Sequence, residues 1–166
     1  DTDRSLSEIL RWRRNLPDNP WPAQVHVDRV VPDTRVSGLR VTMVGHATLL
    51  IQIAGLNLLT DPVWSSRASP TQFAGPKRVT PPGIALADLP PIDAILLSHN
   101  HYDHLDMATL ARLHRQHQLL IVTPLGNDTI IRRRIRTART MAGDWGDAFT
   151  LAPDVRVHIV PAVHWS

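Results

Sequence analysis

The chain has no cysteine among its 166 residues. Disulfide bonds and thiolate metal sites are therefore excluded, and the redox compartment stays open. It also has no run of roughly 18 or more apolar residues, the length a membrane span needs, and its longest apolar stretches have the length of strands. A secretory signal pattern is missing too, and the start at Asp1-Thr2-Asp3, without methionine, is consistent with a trimmed N-terminus. The expected location is the cytoplasm or the periphery of a membrane. Nor is there a large excess of one charge: the formal net charge is +3, which by itself does not point to a nucleic-acid partner. One local cluster, Arg132, Arg133, Arg134, Arg136 and Arg139, is expected on a helix starting after an Asp128 N-cap. It reads either as a solvated face or as a patch for anionic headgroups or RNA. The length is that of one domain with a real core.

What the sequence does contain is concentrated between Ser98 and His104. His99, His101, Asp103 and His104 form an H-x-H-x-D-H pattern directly after the apolar run Ile95-Leu96-Leu97. Residues two apart in extended chain point the same way, so His99 and His101 can offer imidazole nitrogens to one ion. A turn then swings Asp103 and His104 toward a second position beside the first. A divalent ion relieves the conflict among so many adjacent ligand-type side chains; the alternative is a histidine-rich surface loop. Imidazole and carboxylate without thiolate select zinc first, with iron or manganese as alternatives.

Along the chain, the spacing predicts a short amphipathic helix from Leu6 to Arg14 carrying Trp12. An irregular arm follows through Pro17, Pro20, Trp21 and Pro22. Residues 1–38 are read as this N-terminal arm and 39–166 as the domain. Strands are expected at Arg40 to Val44, Thr48 to Ile53 and Leu56 to Thr60, the last two joined by a turn at Ala54-Gly55. Asp61-Pro62 ends this meander. The proline-rich stretch from Val63 to Pro91 is long enough to suggest a functional loop. A strand at Asp93 to Leu97 delivers the histidines, and Asp106 caps a helix from Met107 to about His117 with Met107, Leu110, Ala111 and Leu113 inward. Leu119 to Thr123 is a further strand, the arginine helix follows, and Asp154 to Pro161 forms a last strand leading to His164.

With these motifs in place, the chain resembles a metallo-β-lactamase-fold hydrolase, and more narrowly the N-acyl-phosphatidylethanolamine phospholipase D family and its bacterial relatives. The resemblance rests on Val44 to Thr48, Leu59 to Pro62, Ser66 to Pro70, Gly75-Pro76-Lys77-Arg78, Leu89 to Ala94, Leu97 to Asp106 and His164-Trp165. It implies an α+β fold, the first half of an αββα sandwich, with two zinc ions in the complete domain. By this resemblance His99, His101 and His164 hold the first zinc, and Asp103 and His104 belong to the second. Asp61 orients a metal-bound histidine; read from the residues alone it is equally a turn aspartate before proline, and His164 an ordinary buried histidine beside Trp165. His46 either supports the site or fills the base of the meander. Asp103 is the expected catalytic group, orienting a hydroxide or moving its proton.

The implied substrate is a phosphodiester, an N-acyl phospholipid first; relatives with the same metal motif act on lactones, sugar phosphates or RNA. Lys77 and Arg78 are candidates to meet a phosphate, or are simply solvated. Trp64 and Phe73 are candidates for lipid contact, or core plugs. The family pattern also contains a bridging aspartate and a last histidine beyond the matched residues, so the chain is read as a truncated first half. The expectations are weak occupancy of the second metal position, little activity from the isolated chain, and an exposed sheet face open to self-association. A non-catalytic metal-binding half-domain is the reading from a different class.

Overall fold

The computed structural model describes residues 5–16 and 22–164. The expectations for Pro17, Pro20, Trp21 and Trp165 lie outside these residues. The element order is α1 (Leu6–Arg14), β1 (Leu39–Gly45), β2 (Thr48–Ile53), β3 (Leu56–Thr60), β4 (Ala94–Leu96), α2 (Met107–His117), β5 (Leu120–Pro124), α3 (Asn127–Arg134), β6 (Arg139–Gly143), β7 (Ala148–Ala152) and β8 (Val155–His158), with a 3-10 turn at Leu86–Asp88. This is a mixed α+β architecture, as the sequence indicated.

Strands β1 to β6 form one sheet in chain order, antiparallel across β1-β2-β3 and parallel across β3-β4-β5-β6. Ala54 and Gly55, both at positive φ (49° and 77°), make the tight turn between β2 and β3. One face of the sheet is sealed. Leu50, Leu59, Ile95 and Ile121 are buried there with Leu110 and Leu113 of α2 and Ile131 of α3, each such side chain contributing about 1.5–3 kcal/mol of apolar transfer. The opposite face is covered only in part by the β7–β8 hairpin, whose Val155 joins Leu58 and Ala94. Toward its β1 edge, Leu39, Val41 and Met43 stay 67%, 53% and 58% exposed.

Asn57 ties the arm to this sheet. Its Nδ2 donates to the carbonyls of Thr34 and Pro91, and its Oδ1 accepts from Gln52 Nε2, which also donates to Asp33. Arg35 pairs with Asp93, whose carboxylate also accepts the Asn57 amide. Backbone bonds from Val25 to Val79 and from Val30 to Gly83 fasten the stretch around residues 25–30. No helix among the described residues is long and apolar enough to cross a membrane.

Several local expectations are corrected. The arginine helix is capped at Gly126, not Asp128; Asp128 lies in the first turn and pairs with Arg132 at 2.7 Å. That helix ends at Arg134, so Arg139 sits on β6 and the five arginines do not share one helical face. Strands β6 and β7 have no counterpart in the sequence reading, because their short, mixed segments carry little alternation. On α2 the buried residues are Thr109, Leu110, Leu113 and His114, with Met107 and Ala111 half-buried. Thr109 can be buried because its hydroxyl donates to Asp106. Trp64 packs on the core and donates its indole N–H to the Ile84 carbonyl, whereas Phe73 is 85% exposed.

Candidate metal centre

The site lies at the carboxyl ends of β3 and β4, where an open sheet leaves room for a ligand. The parallel register places Thr60 opposite Leu96, so Asp61 and Ser98 emerge side by side. The β1–β2 turn reaches the same end because β2 runs antiparallel to β3. In that turn His46 takes a positive φ of 53° after Gly45 at 151°, a backbone histidine tolerates better than a branched residue. The tail after β8 delivers His164 from the other side.

Six side chains gather into two groups of three. His99, His101 and His164 have one ligand atom each within 4.8 Å of the others, and so do His46, Asp103 and His104. The groups adjoin: the His99 and His104 rings are 4.1 Å apart between centroids. The structure thus adds His46 to the second group as a ligand-type side chain, where the sequence suggested only support. His46 Nε2 lies 2.8 Å from Asp103 Oδ2.

Asp61 organises both groups. It is 5% exposed and sits at φ 34° before Pro62. That strained backbone is held by its amide bond to the Leu96 carbonyl and by the Thr48 hydroxyl donating to its own carbonyl at 2.6 Å. Its Oδ1 accepts the Ser98 amide at 2.7 Å, and its Oδ2 accepts the Ser98 hydroxyl at 2.7 Å and His104 Nδ1 at 2.8 Å. The Ser98 hydroxyl has one proton, and it goes to Asp61. Its 2.9 Å contact with His99 Nδ1 is therefore one in which the imidazole N–H donates.

Both tautomers follow. His99 Nε2 and His104 Nε2 carry lone pairs, the first 3.1 Å from His101 Nδ1 and the second 3.6 Å from Asp103 Oδ2. Burial holds the His99 pKa below the usual imidazole value, helped by His104, His101 and His164 and opposed by Asp61, so the ring stays in its neutral, ligating form. Burial raises Asp103, but its own backbone amide, the hydrogen bond from His46 and the electrostatic pull of His104 and His46 outweigh that and leave it below the usual carboxylate range. Converging lone pairs and an ionised carboxylate fit a pair of divalent cations.

Around this centre, Asp106 anchors the turn that carries Asp103 and His104. It caps α2 through Ala108 and Thr109 and accepts the amides of Trp64 and Ser65. Burial raises its pKa, yet bonds from Thr109 and Ser65 leave it lowered. Arg78 donates to the carbonyls of Val63, Ser65 and Thr80; its guanidinium clamps the loop, and burial lowers its pKa against the pull of Asp106. Lys77 is exposed, its backbone bridging Arg67. Nothing local in the sequence marks Ser98 for this role, since its partnership with Asp61 arises only from pairing β3 with β4.

The chain is similar to proteins from several sources. An uncharacterised protein of Mycobacterium tuberculosis is 40% identical over 131 residues, covering 78% of this chain and 35% of that protein. The N-acyl-phosphatidylethanolamine-hydrolyzing phospholipase D 1 of Caenorhabditis elegans is 50% identical over 91 residues, 54% of this chain and 26% of that protein. The chain thus spans about a third or less of these relatives' length. Igni18, a metallo hydrolase of the archaeon Ignicoccus hospitalis, shares the fold with a TM-score of 0.56 at 18% identity, over 76% of this chain and 49% of that one. The family model for the beta-lactamase superfamily domain matches residues 56–166, from β3 through the last histidine of the centre, and the chain belongs to that superfamily.

Proposed function

We propose that this domain forms the larger part of a two-zinc hydrolase centre acting on phosphodiesters, with an N-acyl phospholipid as the leading substrate. The observation that carries the reading is the pair of adjoining three-ligand groups served by one buried carboxylate, Asp61. The substrate class is supported by the similarity to the nematode N-acyl-phosphatidylethanolamine-hydrolyzing phospholipase D 1. His99, His101 and His164 would hold one zinc, and His46, Asp103 and His104 the other. Iron or manganese would satisfy the same nitrogen and oxygen donors.

When bound, two such cations lower the pKa of water toward neutrality and offset the charge that builds on a phosphoryl oxygen. The chain's own residues do the rest. Asp61 fixes the tautomers of His99, through Ser98, and of His104. Asp103, held ionised, is placed to orient an attacking water and accept its proton. His46, bonded to Asp103, limits where that carboxylate points. Hydrolysis of the phosphodiester would release phosphatidic acid and an N-acylethanolamine. Exposed Lys77 is the better of the two loop cations for a phosphate, since Arg78 is committed to carbonyls.

Turnover by the natural full-length protein on N-acyl phosphatidylethanolamine, lactones and simple phosphodiesters tests this, alongside metal analysis. Preference for the N-acyl phospholipid with loss of activity on chelation is expected. Strong preference for lactones would overturn the substrate. Two tightly held zinc ions on the isolated 166-residue chain would overturn the expectation that its second position is weak.

A further inference from the structure

Helix α1 takes no part in the domain core or the metal centre, and its construction is complete by itself. Ser5 caps it, accepting the Glu8 amide at 3.3 Å, while Glu8 Oε2 accepts the Ser5 amide at 2.8 Å. The capping box starts the helix without tertiary help. None of its residues is buried: Leu6, Ile9, Leu10 and Trp12 are 73%, 45%, 57% and 64% exposed. At 3.6 residues per turn these four fall within one arc of about 160°. Only Arg13 emerges inside that arc, and its long stem can run along the apolar face while the guanidinium reaches outward. Ser7, Glu8, Arg11 and Arg14 occupy the other side.

The charge is one-sided. Arg11, Arg13 and Arg14 face a single acid, Glu8, whose carboxylate already serves the N-terminus. None of the ion pairs among the described residues involves these arginines. An exposed apolar stripe calls for an apolar phase, and three guanidinium groups on the same short helix, outside the ion pairs of the described residues, call for anions nearby. A nucleic acid would satisfy the arginines and leave Leu6, Ile9 and Leu10 in water. A bilayer carrying anionic headgroups satisfies both, with the Trp12 indole at the boundary where tryptophan is favoured.

We propose that α1 is a docking helix that lays its apolar stripe on an anionic phospholipid surface. Among the described residues after the helix, the first backbone bond to the domain is that of Val25 to Val79. This assignment is independent of the chemistry at the metal centre.

Co-sedimentation of the full-length protein with vesicles of phosphatidylcholine alone, or mixed with phosphatidylglycerol, tests it. Partitioning on the mixed vesicles is expected to be about tenfold stronger and to fall in high salt. Arg11→Glu with Arg14→Glu should remove the anionic preference. Leu10→Asp with Trp12→Ala should cut binding to both vesicle types about tenfold, at an unchanged unfolding temperature. Equal partitioning onto both vesicle types would overturn the proposal, as would binding that neither pair of substitutions changes. A fall in unfolding temperature or a change in oligomeric state would also overturn it, by assigning the stripe to a protein contact.

Discussion

The two ligand groups of the centre are built differently although their rings touch. The second, His46, Asp103 and His104, lies entirely between the β1–β2 turn and the start of α2 and is braced by Asp61 directly and by Asp106 through the helix cap. The first, His99, His101 and His164, is braced by Asp61 only through the Ser98 hydroxyl, and its third member comes from an exposed tail. Each group thus joins a local pair of ligands to a third from a distant part of the chain. The second group has the more direct support from Asp61, and the first reaches Asp61 through the Ser98 hydroxyl.

Breaking the shared support should have the largest effect. Asp61→Ala removes the acceptor for the His104 Nδ1 proton and for the Ser98 hydroxyl that in turn receives the His99 Nδ1 proton, and affinity for zinc at both positions is expected to fall about a hundredfold in metal titrations. Loss at one position only would mean that the two groups do not share it. His164→Ala comes next. It should leave the first group with two imidazoles and selectively lose one metal equivalent, while His46→Ala should act on the other; isotherms with two resolvable sites would separate them. Simultaneous loss of both metals with either single variant would show that the groups act as one.

Asp106→Asn should cost about 2 kcal/mol at neutral pH, from the charged hydrogen bonds to Trp64, Ser65 and Thr109 that it loses. Its folded pKa is lowered, so the charged carboxyl stabilises the fold above the ordinary carboxylate range. That stability is lost as pH falls through the lower folded value. Acid unfolding followed by circular dichroism should therefore show a flatter low-pH limb in the variant. Ser98→Ala is expected to weaken only the first group, about tenfold, with Ser98→Thr restoring it; cobalt absorption spectra at each equivalent would report the difference. The smallest effect belongs to Arg78→Ala, about 1 kcal/mol of thermal stability from lost loop carbonyl bonds. An unchanged unfolding temperature with a raised KM would instead return Arg78 to the role of a phosphate contact.

Much of this was legible in the residues. The strands Thr48–Ile53 and Leu56–Thr60 and the helix Met107–His117 fall where alternation, helical periodicity and the Asp106 cap put them. The failures cluster where local signals are weak. Gly126 supplanted Asp128 at the cap of α3. Strands β6 and β7 are held by partners rather than by their own pattern: Ile121 opposite Thr140 in one case, and the β8 hairpin in the other.

The sequence by itself determined the chemistry: nitrogen and oxygen ligands without sulfur, spaced so that His99 and His101 share one side of an extended segment and Asp103 and His104 follow on a turn. Only the tertiary structure decided who stands beside whom. The parallel pairing of β3 with β4 sets Asp61 against Ser98, the antiparallel meander brings His46 over Asp103, and the tail closes on His99. Side-chain type is a local property of the chain, but a shared carboxylate between two ligands exists only where distant backbones are brought into register.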